Sequence, residues 1–271
     1  MDKFSVLMSL YCKENVACLS ESLDSIFNQT LLPSEVVLVE DGPLTPELYK
    51  VVGKYVEKHP IIKVVPLDKN VGLGRALNEG LKHCSYELVA RMDTDDICKS
   101  DRFEKQITYM EQHPEIAVCG SWIDEFITSP ADIVSSRKLP ENHEELYQYG
   151  KTRNPINHVT VVFRKEAVLK VGSYQHCALM EDYYLWVRMI VHGMKLHNIP
   201  ESLVYVRISA DMFKRRGGFK YACTEASFQW KMYKFGYINL CNVLKNISIR
   251  FVVRIMPNSL RGFIYKRVIR K

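Results

Sequence analysis

The chain opens on an apolar run, Phe4–Tyr11 (FSVLMSLY), of strand length and without a polar face. Over residues 14–30 the period changes. Leu19, Leu23, Ile26 and Phe27 recur at helical spacing, and the stripe closes before Pro33. Glu35–Val39 is a second strand ending in Glu40-Asp41-Gly42. A helix from about Thr45 to Lys58 leads through Pro60 to a strand at Ile61–Val65. Asn70-Val-Gly-Leu-Gly then opens a helix over Arg75–Cys84, and Tyr86–Met92 reads as a fourth strand. Strands alternating with helices of this length predict βαβ units, hence an α/β fold with a mostly parallel sheet covered on both faces. Further along, Phe103, Ile107 and Met110 mark a helix over 101–113, followed by a strand at Ile116–Trp122. Residues 124–153 show no clear period and read as a long loop, of the kind that is functional or mobile. Glu181 starts a helix after the turn Gly172-Ser-Tyr, and Leu203–Arg207 is a last strand.

Composition narrows the class without naming a chemistry. Hydrophobic residues make up 47% and charged residues 25% of the 271, which is the balance of a globular protein with a sizeable core. The eight cysteines are scattered, with no C-x-x-C pair and no zinc spacing, which points to a reducing compartment. The N-terminus lacks a signal-peptide pattern, and no apolar run is long enough to span a membrane. The net charge of +6 is unevenly placed: ten Lys and Arg follow Glu225, and no acid does. The body before the tail is therefore slightly acidic, and it carries no basic, aromatic face for nucleic acid.

The candidate chemistry centres on Leu88–Asp96, where a strand runs into three carboxylates within four positions. In an extended chain Asp93 and Asp95 point to one side, about 7 Å apart. Two anions so placed call for a cation, and Mg²⁺ or Mn²⁺ sharing phosphate oxygens fits the donor type. The competing reading is that Asp95 or Asp96 caps the helix expected near Ser100. Position favours the first: ligands of parallel sheets bind beyond the carboxyl ends of the strands, and Tyr11, Asp41 and Asp93 all stand at such ends. Gly72-Leu-Gly74 lacks the third glycine of a dinucleotide fingerprint, and no Walker sequence occurs.

Taken in order and spacing, FSVLMSLYCKEN, SEVVLVEDGP, NVGLGRALNEGL and VARMDTDD resemble the inverting family 2 glycosyltransferases of GT-A fold, notably those of bacterial exopolysaccharide and O-antigen synthesis. The resemblance runs from about residue 4 to residue 220. It implies a GT-A domain over 1–220, with a nucleotide-binding half over about 1–122 and an acceptor half over 123–220. It also implies that Tyr11 and Asp41 line the uracil pocket of a UDP-sugar, that Asp93 meets ribose and metal, and that Asp95 binds the metal. Arg75 and Arg91 have two readings, diphosphate contacts or salt bridges with neighbouring acids. Glu181-Asp182, followed by Tyr-Tyr-Leu-Trp-Val-Arg, matches the family's ED motif, which makes Asp182 the catalytic base and Glu181 the alternative. As plain chemistry, the same pair is a favourable helix start. Asn154–Arg164 resembles the family's strand across the acceptor side, and His158 within it is an acceptor or metal contact, or a satisfied structural histidine. Lys214-Arg-Arg-Gly-Gly218 is a loop closing on diphosphate, or a solvated turn.

The expected activity is metal-dependent transfer, with inversion, from UDP-galactose to a lipid-diphosphate-linked saccharide. A sugar-phosphate nucleotidyltransferase is the rival enzyme, though it would carry a glycine-rich basic loop after the first strand. A non-catalytic binding subunit is the rival from another class. In the 221–271 tail, Leu244, Ile247, Phe251, Val252 and Ile255 form one helical stripe, and Leu260, Phe263, Ile264 and Val268 form another. With the basic residues around them they predict attachment to an anionic membrane, on its cytoplasmic face.

Overall fold

The computed structural model describes residues 2–208 and 218–255. Its first half is the expected βαβ series: β1 (Phe4–Leu10), α1 (Val16–Phe27), β2 (Glu35–Glu40), α2 (Pro46–Lys58), β3 (Ile62–Pro66), α3 (Leu73–His83) and β4 (Leu88–Arg91). The caps are in the sequence. Asn15 Oδ1 accepts from the backbone N–H groups of Ala17 and Cys18 at 2.8 and 3.2 Å, and Thr45 caps α2 with Pro46 at its first position. There follow β5 (Ile97–Cys98), α4 (Arg102–Gln112), β6 (Ile116–Phe126), β7 (Ile133–Arg137), α5 (His143–Tyr149), β8 (Val162–Arg164), α6 (Lys165–Lys170), α7 (Glu181–Val191), β9 (Lys195–Arg207), α8 (Phe219–Lys234) and α9 (Leu240–Ile255).

Among the described residues the strands form one sheet in the order β3-β2-β1-β4-β8-β6-β9-β5, with β7 paired to β6. β3, β2, β1 and β4 are parallel, and the direction first changes at β8, antiparallel to β4. Because β1 is covered on both faces, its alternate residues enter two cores. Leu7 packs with α3, α7 and α8 residues such as Leu77, Trp186 and Phe228, while Val6, Met8 and Leu10 pack with Leu19 and Leu23 of α1 and Phe103 of α4.

Three expectations are corrected. The 124–153 stretch is no bare loop: β6 runs on to Phe126, β7 pairs with it antiparallel, and α5 follows. Ile133-Val-Ser-Ser-Arg137 is an edge strand with no buried position, and α5 buries only Leu146, so neither leaves a strong apolar period. Residues 154–164 are not one strand. Residues 158–160 form a 3₁₀ turn held by side chains, with Thr160 Oγ1 donating to the Asn157 carbonyl at 2.8 Å, and only Val162–Arg164 is extended. β9 begins at Lys195, eight residues before the expected strand, because its register against β6 skips Pro200 and Glu201 in a bulge.

α8 and α9 are joined to the body. Phe228, Met232, Tyr237, Ile238 and Val243 belong to the core that holds Trp186, and Tyr237 Oη donates to the Tyr147 carbonyl at 2.6 Å. Polar pairing sets which face of α9 is buried. Asn246 Nδ2 donates to the Lys151 carbonyl and to Gln229 Oε1, both at 2.8 Å, and Arg250 pairs with the buried Glu225. Val243 and Asn246 are thereby buried, while Leu244, expected in the apolar stripe, is 60% exposed. No described helix is long and apolar enough to cross a membrane. The second stripe, 260–268, lies outside the described residues.

Candidate active site

Three adjacent strands deliver the first group of residues. Tyr11 follows β1, Asp41 follows β2 and Asp93 lies just past β4, all at the carboxyl edge where the strand order reverses between β1 and β4. Tyr11 is partly exposed, whereas Asp41 is buried and turned toward the loop before α3. Its Oδ1 accepts from Val71 N at 2.6 Å, and its Oδ2 from Gly72 N at 3.1 Å and Asn70 Nδ2 at 3.0 Å. Gly42 permits this closeness: its φ is +87°, and a Cβ there would sit 2.5 Å from Asn70 N. Arg75 is exposed on α3 and borders a separate cavity with Lys69, Asn78 and Lys82, which none of the acids at positions 41, 93, 95 or 182 lines.

The Asp-x-Asp-Asp run is not a helix cap. The short β5 intervenes, and α4 starts at Arg102 behind Asp101. Instead Asp93, Asp95 and Asp96 each bring a carboxylate oxygen to within 4.8 Å of the others. The loop is held from outside. Ser22 Oγ donates to the Asp93 carbonyl at 2.8 Å, Thr94 Oγ1 to Glu14 Oε2 at 2.7 Å, and Arg207 N to Asp96 Oδ1 at 2.8 Å. Arg91, almost fully buried, pairs with both oxygens of Asp93, so one of its two expected roles, the salt bridge, is what the structure shows. The other acids are poorly compensated. Burial and then the Asp93 charge push Asp95 up to about 6, and burial with both neighbours lifts Asp96 well above the usual carboxylate range. Hard oxygen donors this close, with their charge unrelieved, fit a divalent cation.

The second group sits at the start of α7. Glu181 and Asp182 occupy its first turn, after Leu179 at φ +66°. Asn154 Nδ2 donates to Asp182 Oδ2 at 2.7 Å. Burial raises the Asp182 carboxyl, opposed by the Tyr183 N–H, Asn154, Arg91 and Arg137, so Arg91 bears on both acidic groups. Burial, with Asp182 adding to it, also raises Glu181. His158 Nε2 is 2.8 Å from Tyr174 Oη, and burial plus the Arg91 charge keep its ring neutral, so the residue has the partner a structural histidine needs. Trp186 is fully buried and serves packing. The Lys214–Arg216 run falls outside the described residues. Asn154 and Arg137 carried no signal of their own in the sequence, and Asp96 was visible there only as the third acid of the run.

A curled sheet with carboxylates at the reversal of strand order, and a second acidic pair tied to them through Arg91, has the architecture of the GT-A sugar-nucleotide-dependent transferases. The chain belongs to glycosyl transferase family 2, whose model matches residues 5–174, and it is a glycosyltransferase. It is 41% identical to the UDP-Gal:alpha-D-GlcNAc-diphosphoundecaprenol beta-1,3-galactosyltransferase of Escherichia coli, over 99% of this chain and 97% of that protein. It is also 41% identical to the amylovoran biosynthesis glycosyltransferase AmsE of Erwinia amylovora, over 97% of this chain and 98% of that protein. Among solved structures, the mannosyltransferase PcManGT of Pyrobaculum calidifontis, in complex with GDP-Man and Mn²⁺, superposes with a TM-score of 0.62. It does so at 16% identity, over 97% of this chain and 79% of that one, which is a likeness of fold.

Proposed function

We propose that this chain transfers galactose from UDP-galactose, with inversion, to a saccharide carried on a lipid diphosphate in the synthesis of a bacterial surface polysaccharide. The observation that carries the reading is the meeting of the Asp93–Asp96 cluster and Asp182, through Arg91, at the carboxyl edge of β1 and β4. The full-length likeness to an enzyme named for UDP-Gal and a GlcNAc-diphosphoundecaprenol acceptor supports the choice of substrates.

Tyr11 and Asp41 bound the uracil side, where the tight loop at Asn70–Gly72 fixes Asp41. Asp93 and Asp95 would hold Mn²⁺ or Mg²⁺, with the buried Asp96 beside them. When bound, that cation would neutralise charge on the departing diphosphate. Arg91 sets the position of Asp93. Asp182 accepts the proton of the acceptor hydroxyl as its oxygen attacks the anomeric carbon from the face opposite the diphosphate. One displacement turns an α-linked donor into a β-linked product, and the proton ends on Asp182. Glu181 lies beside it and orients the acceptor. Nine of the ten Lys and Arg after Glu225, all but the Arg250 that pairs with it, favour peripheral attachment to the anionic cytoplasmic face of the membrane that carries the acceptor.

The test is incubation with a panel of nucleotide sugars, a synthetic GlcNAc-diphosphate lipid and Mn²⁺, recording product mass and anomeric configuration. A β-galactosylated product is expected. Release of no nucleotide from any donor in the panel overturns the proposal.

A further inference from the structure

The 124–153 stretch ends close behind the ED pair, and what it contributes there is specific. Arg137, the last residue of β7, donates from Nη2 to the Asn154 carbonyl at 2.8 Å. The Asn154 side chain in turn donates to Asp182 Oδ2 at 2.7 Å, and its Oδ1 faces the Ile156 N–H at 3.4 Å, which sets which way round the amide lies. We propose that Asn154 is a positioning residue for the Asp182 carboxylate and that Arg137 holds Asn154 in place. The inference rests on the reading of Asp182 as the base.

The backbone around Asn154 is built to stay still. A residue before proline is confined to extended conformations, and Pro155 follows. The Pro155 carbonyl accepts from Asn198 Nδ2 at 3.1 Å, and the same group donates to the Pro140 carbonyl at 2.9 Å; Asn198 is fully buried on β9. Asn157 Nδ2 donates to the Ser121 carbonyl of β6 at 2.8 Å. Asn154 is thus pinned from β6, β7 and β9, while Asp182 rides on the separate helix α7. One charge-assisted bond joins the two parts. A base is useful only when its oxygen lies within hydrogen-bond reach of the acceptor hydroxyl at a fixed angle, and a carboxylate in a first helical turn has two free torsions. The amide removes that freedom.

The other groups bearing on this carboxylate are the N–H and hydroxyl of Tyr183 on α7, Arg91 from β4, Arg137 from β7, Glu181 beside it, and Tyr174 and Cys177 from the turn before α7. Of these, Arg91 is committed to Asp93. Loss of Asn154 therefore removes a side-chain donor to Asp182 and leaves it the Tyr183 N–H of its own helix, which disfavours the charged base.

The experiment measures UDP release against pH, with UDP-galactose, Mn²⁺ and the GlcNAc-diphosphate lipid, for the wild type, Asn154→Ala, Arg137→Ala and Asp182→Asn. Asn154→Ala is expected to lose about 10- to 100-fold in kcat near neutral pH, with donor KM nearly unchanged. Its acid limb should move to higher pH, since the donor that favours the charged carboxylate is gone. Arg137→Ala should shift the limb the same way by less, and it carries the test if Asn154→Ala does not fold. A purely structural role would lower the folded fraction and leave the limb in place. An unmoved limb in both variants, with Asp182→Asn inactive, overturns this inference alone. Full activity of Asp182→Asn overturns the base assignment, and this inference with it.

Discussion

Gly74 and Glu181 meet where the first turns of α3 and α7 pack: a Cβ on Gly74 would lie 3.2 Å from Glu181 Cγ and 3.5 Å from its Cβ. The second glycine of Gly72-Leu-Gly74 thus serves neither a dinucleotide nor a turn. It makes room for the ED pair beside the first turn of α3.

Gly74→Ala separates the two consequences. Alanine is favoured over glycine in a helix by roughly 1 kcal/mol, so thermal stability should hold or rise. The added methyl needs only a few tenths of an ångström from Glu181, so kcat should fall modestly. Gly74→Leu leaves no such adjustment and should abolish turnover. Melting curves and UDP-release rates on the two variants check this. Wild-type kcat in Gly74→Leu would show that the position of Glu181 does not matter.

The two acids of the pair should behave differently. Asp182→Asn keeps shape and the capacity to bind donor but cannot take a proton, so kcat should fall by about 10²–10⁴-fold with donor binding retained. Glu181→Gln should cost less. Burial raises both carboxyls above their ordinary range, and the base works deprotonated. Activity should therefore decline, as pH falls, before ordinary carboxylates protonate. A dead Glu181→Gln beside an active Asp182→Asn would reverse the assignment.

The acidic cluster predicts a cation effect readable without substrate. A carboxyl raised in the folded state destabilises the fold once it ionises, so the cation-free protein loses stability as pH rises through about 6, where Asp95 titrates. Mn²⁺ relieves that repulsion, and protons compete with it at low pH. Added MnCl₂ should therefore raise Tm more at pH 7.5 than at pH 5.5, and Asp95→Ala should remove most of the difference. Turnover should fall by about 10²–10³-fold in the same variant, and excess EDTA should stop it in the wild type. An identical Tm with and without Mn²⁺ at pH 7.5 counts against the site.

How much of this was legible follows the physics of each signal. The strands β1, β2 and β4 announce themselves because a strand covered on both faces must be apolar throughout, as in Phe4–Leu10. Their ends locate Tyr11, Asp41 and Asp93 at once. The cluster's third acid, Asp96, stood in the same run, but its burial depends on Arg207, which lies 111 residues on and donates to it. Asn154 and Arg137 were illegible for a related reason. The bond from Asn154 to Asp182 joins residues 28 apart, and no periodicity records a single hydrogen bond between a loop and a helix. β7 was lost because an edge strand with three of its five residues polar has the composition of a loop.

The tail supplies the last prediction, and the structure changes how it must be tested. Removing everything after Asn239 would strip Val243, Asn246 and Arg250 from the body and break the pair between Arg250 and Glu225, which is 2% exposed. Breaking a buried ion pair from one side costs about 3–5 kcal/mol, so that truncation should lower Tm sharply and say nothing about membranes. Ending the chain after Ile255 keeps this packing and removes Arg261, Lys266, Arg267, Arg270 and Lys271. Each basic residue near an anionic surface contributes about 1 kcal/mol, so the shortened protein should melt near the full-length value yet lose most of its co-sedimentation with anionic phospholipid vesicles. Full-length binding should weaken as salt rises toward 0.5 M, since charges at a surface are screened over about 10 Å or less under such conditions. On a short-chain, water-soluble acceptor the two forms should turn over alike, because the groups assigned to catalysis all precede residue 208. Equal vesicle binding by both forms would place the attachment before residue 256, where Leu244, Ile249 and Trp230 are exposed on α8 and α9. Absence of binding by either form at low salt would remove the membrane from the account.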